Sequence, residues 1–207
     1  MDPSNSVYVE LFKGHLRKGD RRKVEIIEAA IEAIAKEGIE NLTFDRLSKR
    51  MKVGKSHIAY HYKEKHQIIE ACYKAITMTA QAITVEYIQR AKTPREQLFG
   101  IVKGAIAWCR LHPNQASSML AIYHLCDHHP DLRGLQREVR GAGLNRIKAV
   151  LGLVSDWSPK VLLEMASQIQ FLLTGALVIT TAERRSDELD SLEKTLLREV
   201  ESIIGRN

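Results

Sequence analysis

The feature that most narrows the fold of this chain is the spacing of its apolar residues. They return every three or four positions from Val24 to Ile203, and nowhere do they alternate as a half-buried strand would. The chain therefore reads as all-α, with Gly and Pro as its punctuation. Val24, Ile27, Ala30, Ile31 and Ile34 share one face of a first helix over 22–37, which Gly38 stops. Thr93-Pro94-Arg95-Glu96 is a capping box with Pro at the first helical position, so a helix is predicted from there through Leu111, where His112-Pro113 ends it. Further helices are predicted over 114–129, over 131–152 with Gly141 and Gly143 allowing a kink or a close contact, from Ser158-Pro159 to Ala182, and over 187–204 with Gly205 as a cap.

Composition then limits the classes open to such a chain. Its 207 residues are 44% hydrophobic, enough for one or two buried cores. A net charge of +6 suits a polyanionic partner. Cys72, Cys109 and Cys126, odd in number and widely spaced within helical patterns, argue against a secreted disulfide framework. The apolar run at 7–12 is short and broken by Glu10, unlike a signal peptide. The most apolar stretch, 169–181, is too short to span a bilayer and contains Gln170, so the expected location is cytoplasmic with no membrane partner. No Gly-x-Ser-x-Gly elbow, phosphate loop or dinucleotide fingerprint is present, so neither enzyme chemistry nor a cofactor is expected.

Positive charge is concentrated at residues 43–65, TFDRLSKRMKVGKSHIAYHYKEK. Phe44, Leu47 and Met51 make one side of a short helix, while Arg46, Lys49, Arg50 and Lys52 occupy the others. Thr43 is its N-cap and Asp45 complements the positive end of its dipole. Gly54 breaks it at a tight turn. The next helix places Ile58 and Tyr62 four apart on a buried side and turns Lys55, Ser56, His57, Ala59, Tyr60 and His61 outward. Hydrogen-bond donors, rings and one methyl are what base edges and phosphates require; Glu and Lys would be the choice for solubility alone. This is a helix-turn-helix expected to enter duplex DNA, with Thr43, Arg46, Lys63 and Lys65 on phosphates. The basic run Lys13, Arg17, Lys18, Arg21, Arg22 and Lys23, which begins in a short arm or helix at 1–20 and continues next to the DNA-binding unit, either contacts the backbone or a minor groove or is a solvated tail.

From about residue 22 to residue 70 the chain resembles the N-terminal domain of TetR-family transcriptional regulators. The stretches IIEAAIEAIAKEGIENLTF, LSKRMKVGKS and YHYKEKHQII carry the likeness in the family's order and spacing. Gly54 stands where the family has Ser, and His57, Ala59 and Glu64 are further departures on or beside the reading surface. The resemblance implies a helix-turn-helix DNA-binding domain at 21–66 and a C-terminal helical ligand-binding and dimerisation domain at 67–207. It also implies that the helix beginning at residue 65 tilts when ligand binds. A small-molecule pocket is expected among the helices spanning 65–182, with Trp108, Met119, Tyr123 and Phe171 as lining or as plain core.

The helix ending at Ala182 is apolar around most of its circumference, and the one after it repeats Leu189, Leu192, Leu196, Val200 and Ile203. With Leu162, Met165, Ile169, Leu173 and Ala176 these are expected to form a four-helix bundle with the same pair from a second chain, the alternative being packing within one monomer. A homodimer would meet two half-sites of a palindrome. The expected function is a ligand-responsive repressor; the rival is a helical small-molecule or metal-sensing protein whose DNA specificity is weak or lost. His124 and His128, spaced i, i+4 near Cys109, His112, Cys126 and His129, are weak candidates for a metal, and no metal site is expected from them.

Overall fold

A computed structural model describes residues 7–8, 11–12, 17–182 and 185–205. Among these the regular structure is helical throughout. The helices are α1 (Lys18–Glu37), α2 (Phe44–Met51), α3 (Lys55–His61), α4 (Lys65–Gln89), α5 (Pro94–Leu111), α6 (Pro113–Leu125), α7 (Pro130–Val154), α8 (Pro159–Ala182) and α9 (Ser186–Gly205). They form two compact units. One contains the residues through Thr79 together with Asn114–Leu132; the other contains Ala80–Pro113 and the chain from Arg133 onward.

The first unit is built on α1. This helix starts at Lys18, earlier than its apolar face suggested, because the Arg17 amide donates to the Asp20 carboxylate at 3.1 Å and holds the first turn. It stops at Gly38, whose φ of 86° turns the chain and whose amide donates to the Ile34 carbonyl. Ile26, Ile27, Ala30, Ile31, Ala33 and Ile34 are buried along it. Over that stripe lie Leu47 of α2 and Ile58 of α3, both essentially inaccessible to water. Ser118 of α6 is also buried here and donates to the Ile31 carbonyl at 2.9 Å. The segment 114–132 therefore supports the helix-turn-helix, although it lies far along the chain and outside the expected 21–66 domain.

Near the N-terminus Val7 and Tyr8 are buried, so this part of the expected arm is no solvated tail. Burial, with Glu28, Cys72 and Tyr62 nearby, holds the Tyr8 phenol well above its ordinary range. Lys13 and residues 1–6 lie outside the described residues.

The second unit packs α5 against α9 and α8. Its core includes Leu98, Ile101 and Ile106 of α5, Leu151 of α7, Met165 and Ile169 of α8, and Val200 of α9. Thr93 and Glu96 cap α5 reciprocally as its capping box predicts. Gly100 and Gly104 bring α5 against the end of α4: a methyl group at position 104 would lie 2.7 Å from the Thr84 Cα, and one at position 100 would lie 3.0 Å from the Tyr87 carbonyl oxygen. Gly143 meets Gln170 of α8 closely, whereas Gly141 has open space around its Cα.

Ten residues were expected at a dimer interface, and the protomer itself buries seven: Met165, Ile169, Ala176, Leu189, Leu196, Val200 and Ile203. Leu162, Leu173 and Leu192 are half-buried. The spacing of the buried seven serves the core of one chain. What α8 leaves to solvent is a different set: Leu163, Phe171, Val178 and Ile179, between 45% and 62% exposed. The helix also runs for 24 residues, long and apolar enough by length and composition to cross a membrane. This corrects the length argument made from residues 169–181 alone.

Candidate nucleic-acid interface

The hairpin of α2 and α3 is shaped by its caps. The Thr43 hydroxyl accepts from the Arg46 amide at 3.2 Å, as its position predicts, and remains exposed with its own proton available to a phosphate. At the far end of α2 the left-handed residue is Lys52, with φ 54° and ψ 43°. Its amide donates to Lys49 and that of Val53 donates to Ser48, which closes the helix. Gly54, expected to be the breaker, has φ −70° and serves as the extended N-cap of α3. A cationic residue thus occupies a conformation that a glycine would adopt more cheaply.

The outward surface of α3 is as its sequence indicates. Lys55, Ser56 and Tyr60 are exposed, the last by 76%, while His57, Ala59 and His61 are half-buried. Ile58 and Tyr62 face the interior. The rings of His57 and His61 lie 5.5 Å apart edge to face, and those of Tyr60 and His61 5.1 Å apart. The Nε2 of His57 is buried and has no hydrogen-bond partner, so base contact in this rotamer falls to the remainder of that ring. Burial, the neighbouring His57, and the cations Lys23 and Arg22 of α1 all hold the His61 imidazole below its ordinary value.

Internal partners distinguish the basic residues from one another. Lys55 pairs loosely with Asp45 at 3.2 Å, both side chains well exposed, and Arg46 reaches Glu37 at 3.6 Å. Such surface pairs are weak and exchange readily for phosphate. Arg50 is engaged more fully, pairing with both Glu32 and Glu37 of α1, and so clamps α2 to α1. Lys65 departs from its expected role on a phosphate: its ammonium donates to the carbonyls of Ile39 at 2.9 Å and Glu40 at 3.4 Å, bracing the loop after α1. Lys63 is exposed. Its amide and that of Glu64 donate to the Gln67 side chain, which caps α4 from inside the helix where Glu64 has replaced the usual preceding cap. The Gln at this third position is the signal by which the sequence could have announced that cap.

The other candidate residues do not gather into one site. Trp108 is buried in the second unit, Met119 is buried and Tyr123 half-buried in the first, and Phe171 stands on the outer face of α8 beside a groove of about 570 Å³ shared with α9. Tyr123 lies 6.2 Å from the Tyr73 ring. The His124 and His128 rings are 6.4 Å apart, but among the described residues no three or more His, Cys, Asp or Glu side chains are placed to hold a metal ion. Burial pushes the Cys72 thiol well above its ordinary value, so it acts as packing and not as a nucleophile.

A capped helix, a left-handed turn and a second short helix with exposed donors, fixed on a third helix, define a helix-turn-helix protein. Residues 26–72 match the family described as bacterial regulatory proteins, tetR family. Over that stretch the chain is similar to the DNA-binding part of this family of regulators. It is 26% identical over 117 residues to the HTH-type transcriptional regulator BetI 1 of Chromohalobacter salexigens, and 26% identical over 119 residues to BetI of Cronobacter sakazakii. Each match takes in 56% of this chain and 58% of the relative, so the chain spans little more than half the length of either protein. Among solved structures, a protein from Saccharomonospora viridis described as a transcriptional regulator, in complex with choline, superposes with a TM-score of 0.77 at 18% identity, covering 87% of this chain and 96% of that one. A TetR-family transcriptional regulator from Streptomyces coelicolor gives 0.73 at 16% identity, covering 88% and 94%. These two likenesses concern the fold.

Proposed function

We propose that this chain is a transcriptional repressor that occupies a palindromic operator as a homodimer and leaves it when a small molecule binds. The observation that carries the reading is the surface of α3, where Lys55, Ser56 and the 76% exposed Tyr60 stand on a helix fixed from behind by Ile58 and Tyr62. Ser56, His57, Ala59, Tyr60 and His61 meet the groove, and Thr43, Arg46, Lys55 and Lys63 meet phosphates. A single short helix makes few base contacts, and a two-fold dimer roughly doubles the binding free energy.

The second copy covers α8. Leu163, Phe171, Val178 and Ile179 leave an apolar face that a soluble monomer rarely exposes. A bilayer suits this helix less well, because its other face is packed in the protein core and Glu164, Gln168 and Gln170 interrupt it. A soluble, cytoplasmic protein follows from this reading. The effector is an organic molecule held by the helices that follow the hairpin. The relative solved with choline makes quaternary ammonium compounds the first to try, since aromatic faces attract such cations.

Fluorescence anisotropy with DNA from upstream of the protein's own gene tests the reading. Tight binding that resists unrelated duplex, with two chains per site and release by an effector, supports it; equally weak binding to every duplex, including those selected from random genomic fragments, overturns it. The salt dependence of the affinity counts the phosphates engaged.

A further inference from the structure

The first unit contains a cavity of about 380 Å³ where the loop after α1, the start of α4 and the end of α6 meet, three segments of the same compact unit. Its floor is apolar: Ile39 and Ile69 are each 3% exposed, and Leu125 is half-buried. Its rim carries two exposed carboxylates, Glu40 from the loop and Glu64 from the residue before α4. The lysine that lines the cavity does not neutralise them. Lys65 turns its ammonium to backbone carbonyls instead, those of Ile39 at 2.9 Å and Glu40 at 3.4 Å. Glu64 has the His66 ring as a partner, Nδ1 at 3.0 Å, and an imidazole is a cation only when protonated. The Glu40 carboxylate bends back over Gly38, where a methyl group would lie 2.8 Å from its Oε2. Among the described residues no lysine or arginine pairs with either carboxylate. An apolar floor beneath two carboxylates, in a chain whose net charge is +6, is the reverse of what an anion would require.

We infer that this cavity is a binding site for a small primary organic ammonium with an apolar body. The body covers Ile39, Ile69 and Leu125 and displaces water from them. The ammonium lies between Glu40 and Glu64 and donates charge-assisted hydrogen bonds to both. The volume is at the small end of ligand pockets, so the occupant is a compact molecule with one such group. His66 and His129, both exposed, complete the walls, and their rings will sense whether the cavity is filled. A metal ion fits less well, because among the described residues no three such donors converge as a metal requires. The loop that forms one wall runs on into Thr43, the cap of α2, which places an occupant at the root of the hairpin and away from the outer surface of α3. The inference goes beyond the proposed function and does not rest on it.

The test is titration calorimetry on the full chain, without DNA, using 2-phenylethylammonium chloride and its neutral isostere 2-phenylethanol. The ammonium should bind about tenfold more tightly than the alcohol, the difference made by a charge-assisted hydrogen bond. Glu40→Gln and Glu64→Gln should each reduce that preference by roughly threefold, and the double variant should bind the two probes alike. Both residues are exposed, so the variants should fold, and circular dichroism establishes that they do. Nuclear magnetic resonance locates the probe: the ring signals of His66 and His129, identified by their loss in His66→Gln and His129→Gln, should move in step with occupancy. Equal affinity for ammonium and alcohol overturns the inference, as does a preference that survives in the double variant. A preference with both ring signals unmoved overturns it too, because the probe is then held elsewhere in the chain. One-to-one binding of zinc chloride, with the ammonium failing to bind, replaces the organic cation with a metal. The proposed DNA binding stands in all four cases.

Discussion

Two pairs of consecutive helices in this chain have similar apolar spacing and finish differently. In α2 and α3 the apolar side chains turn inward, Leu47 and Ile58 are sealed, and the outward surface is made of hydroxyls, imidazoles, a phenol and ammonium groups. In α8 and α9 the inward side chains are sealed too, yet α8 still presents Leu163, Phe171, Val178 and Ile179 to solvent. Helical periodicity reports that a face is apolar; it does not report what covers it. The hairpin completes its burial within one chain and has polar groups left for a polar partner, whereas α8 has apolar surface left, which water penalises by about 25 cal/mol for each Å².

The sharpest way to break this contrast is to remove the inner side of the hairpin. Ile58→Ala deletes a side chain with no exposed surface from a unit with little else to hold α3, and should cost about 3 kcal/mol in urea unfolding while abolishing DNA binding. The outer side of α8 should respond in the opposite sense. Phe171→Glu combined with Ile179→Glu should convert the proposed dimer into a monomer by light scattering and leave the secondary structure of the monomer intact. Unfolding of the double variant would mean that this face belongs to the protomer after all. The outer side of the hairpin comes third: Tyr60→Ala should weaken DNA binding by about tenfold, or ~1.4 kcal/mol, with stability changed by less than about 0.5 kcal/mol. Thr43→Ala removes the cap of α2 and should lower stability by about 1 kcal/mol, a loss readable in the denaturation midpoint. The smallest effect is on the pH profile of folding. Because His61 is held below its ordinary value in the native state, the unfolded chain takes up that proton first as pH falls. Stability should therefore decline below about pH 6.5, and less steeply in His61→Gln.

How much of this was legible in the sequence depends on the range over which the determining contact acts. The cap at Thr43, the stop at Gly38 and the capping box at Thr93 involve neighbours within four positions, and each appears where its residues predict. The break after α2 was expected at Gly54, but the residue that turns left-handed is Lys52, where hydrogen bonds from Lys52 and Val53 back to α2 close the helix. Lys65 looked like one more free cation because its carbonyl partners, Ile39 and Glu40, belong to a loop some 25 positions earlier. The attachment of α6 to α1 through Ser118 and Ile31 spans 87 positions and left no mark in the local pattern. The faces of α8 were the hardest to divide. A helix apolar nearly all round offers no polar stripe by which to tell the core side from the outer one.

Gly100 and Gly104 carry a mechanical consequence. With no side chain between them, the backbones of α5 and the end of α4 touch, and turning α5 about its own axis by one residue, about 100°, would drive a side chain into Thr84. Ordinary helix pairs absorb small displacements by changing rotamers at their interface. Here there is nothing to absorb them. The two segments are therefore expected to move as one piece, so that a displacement of α5 is shared by the end of α4.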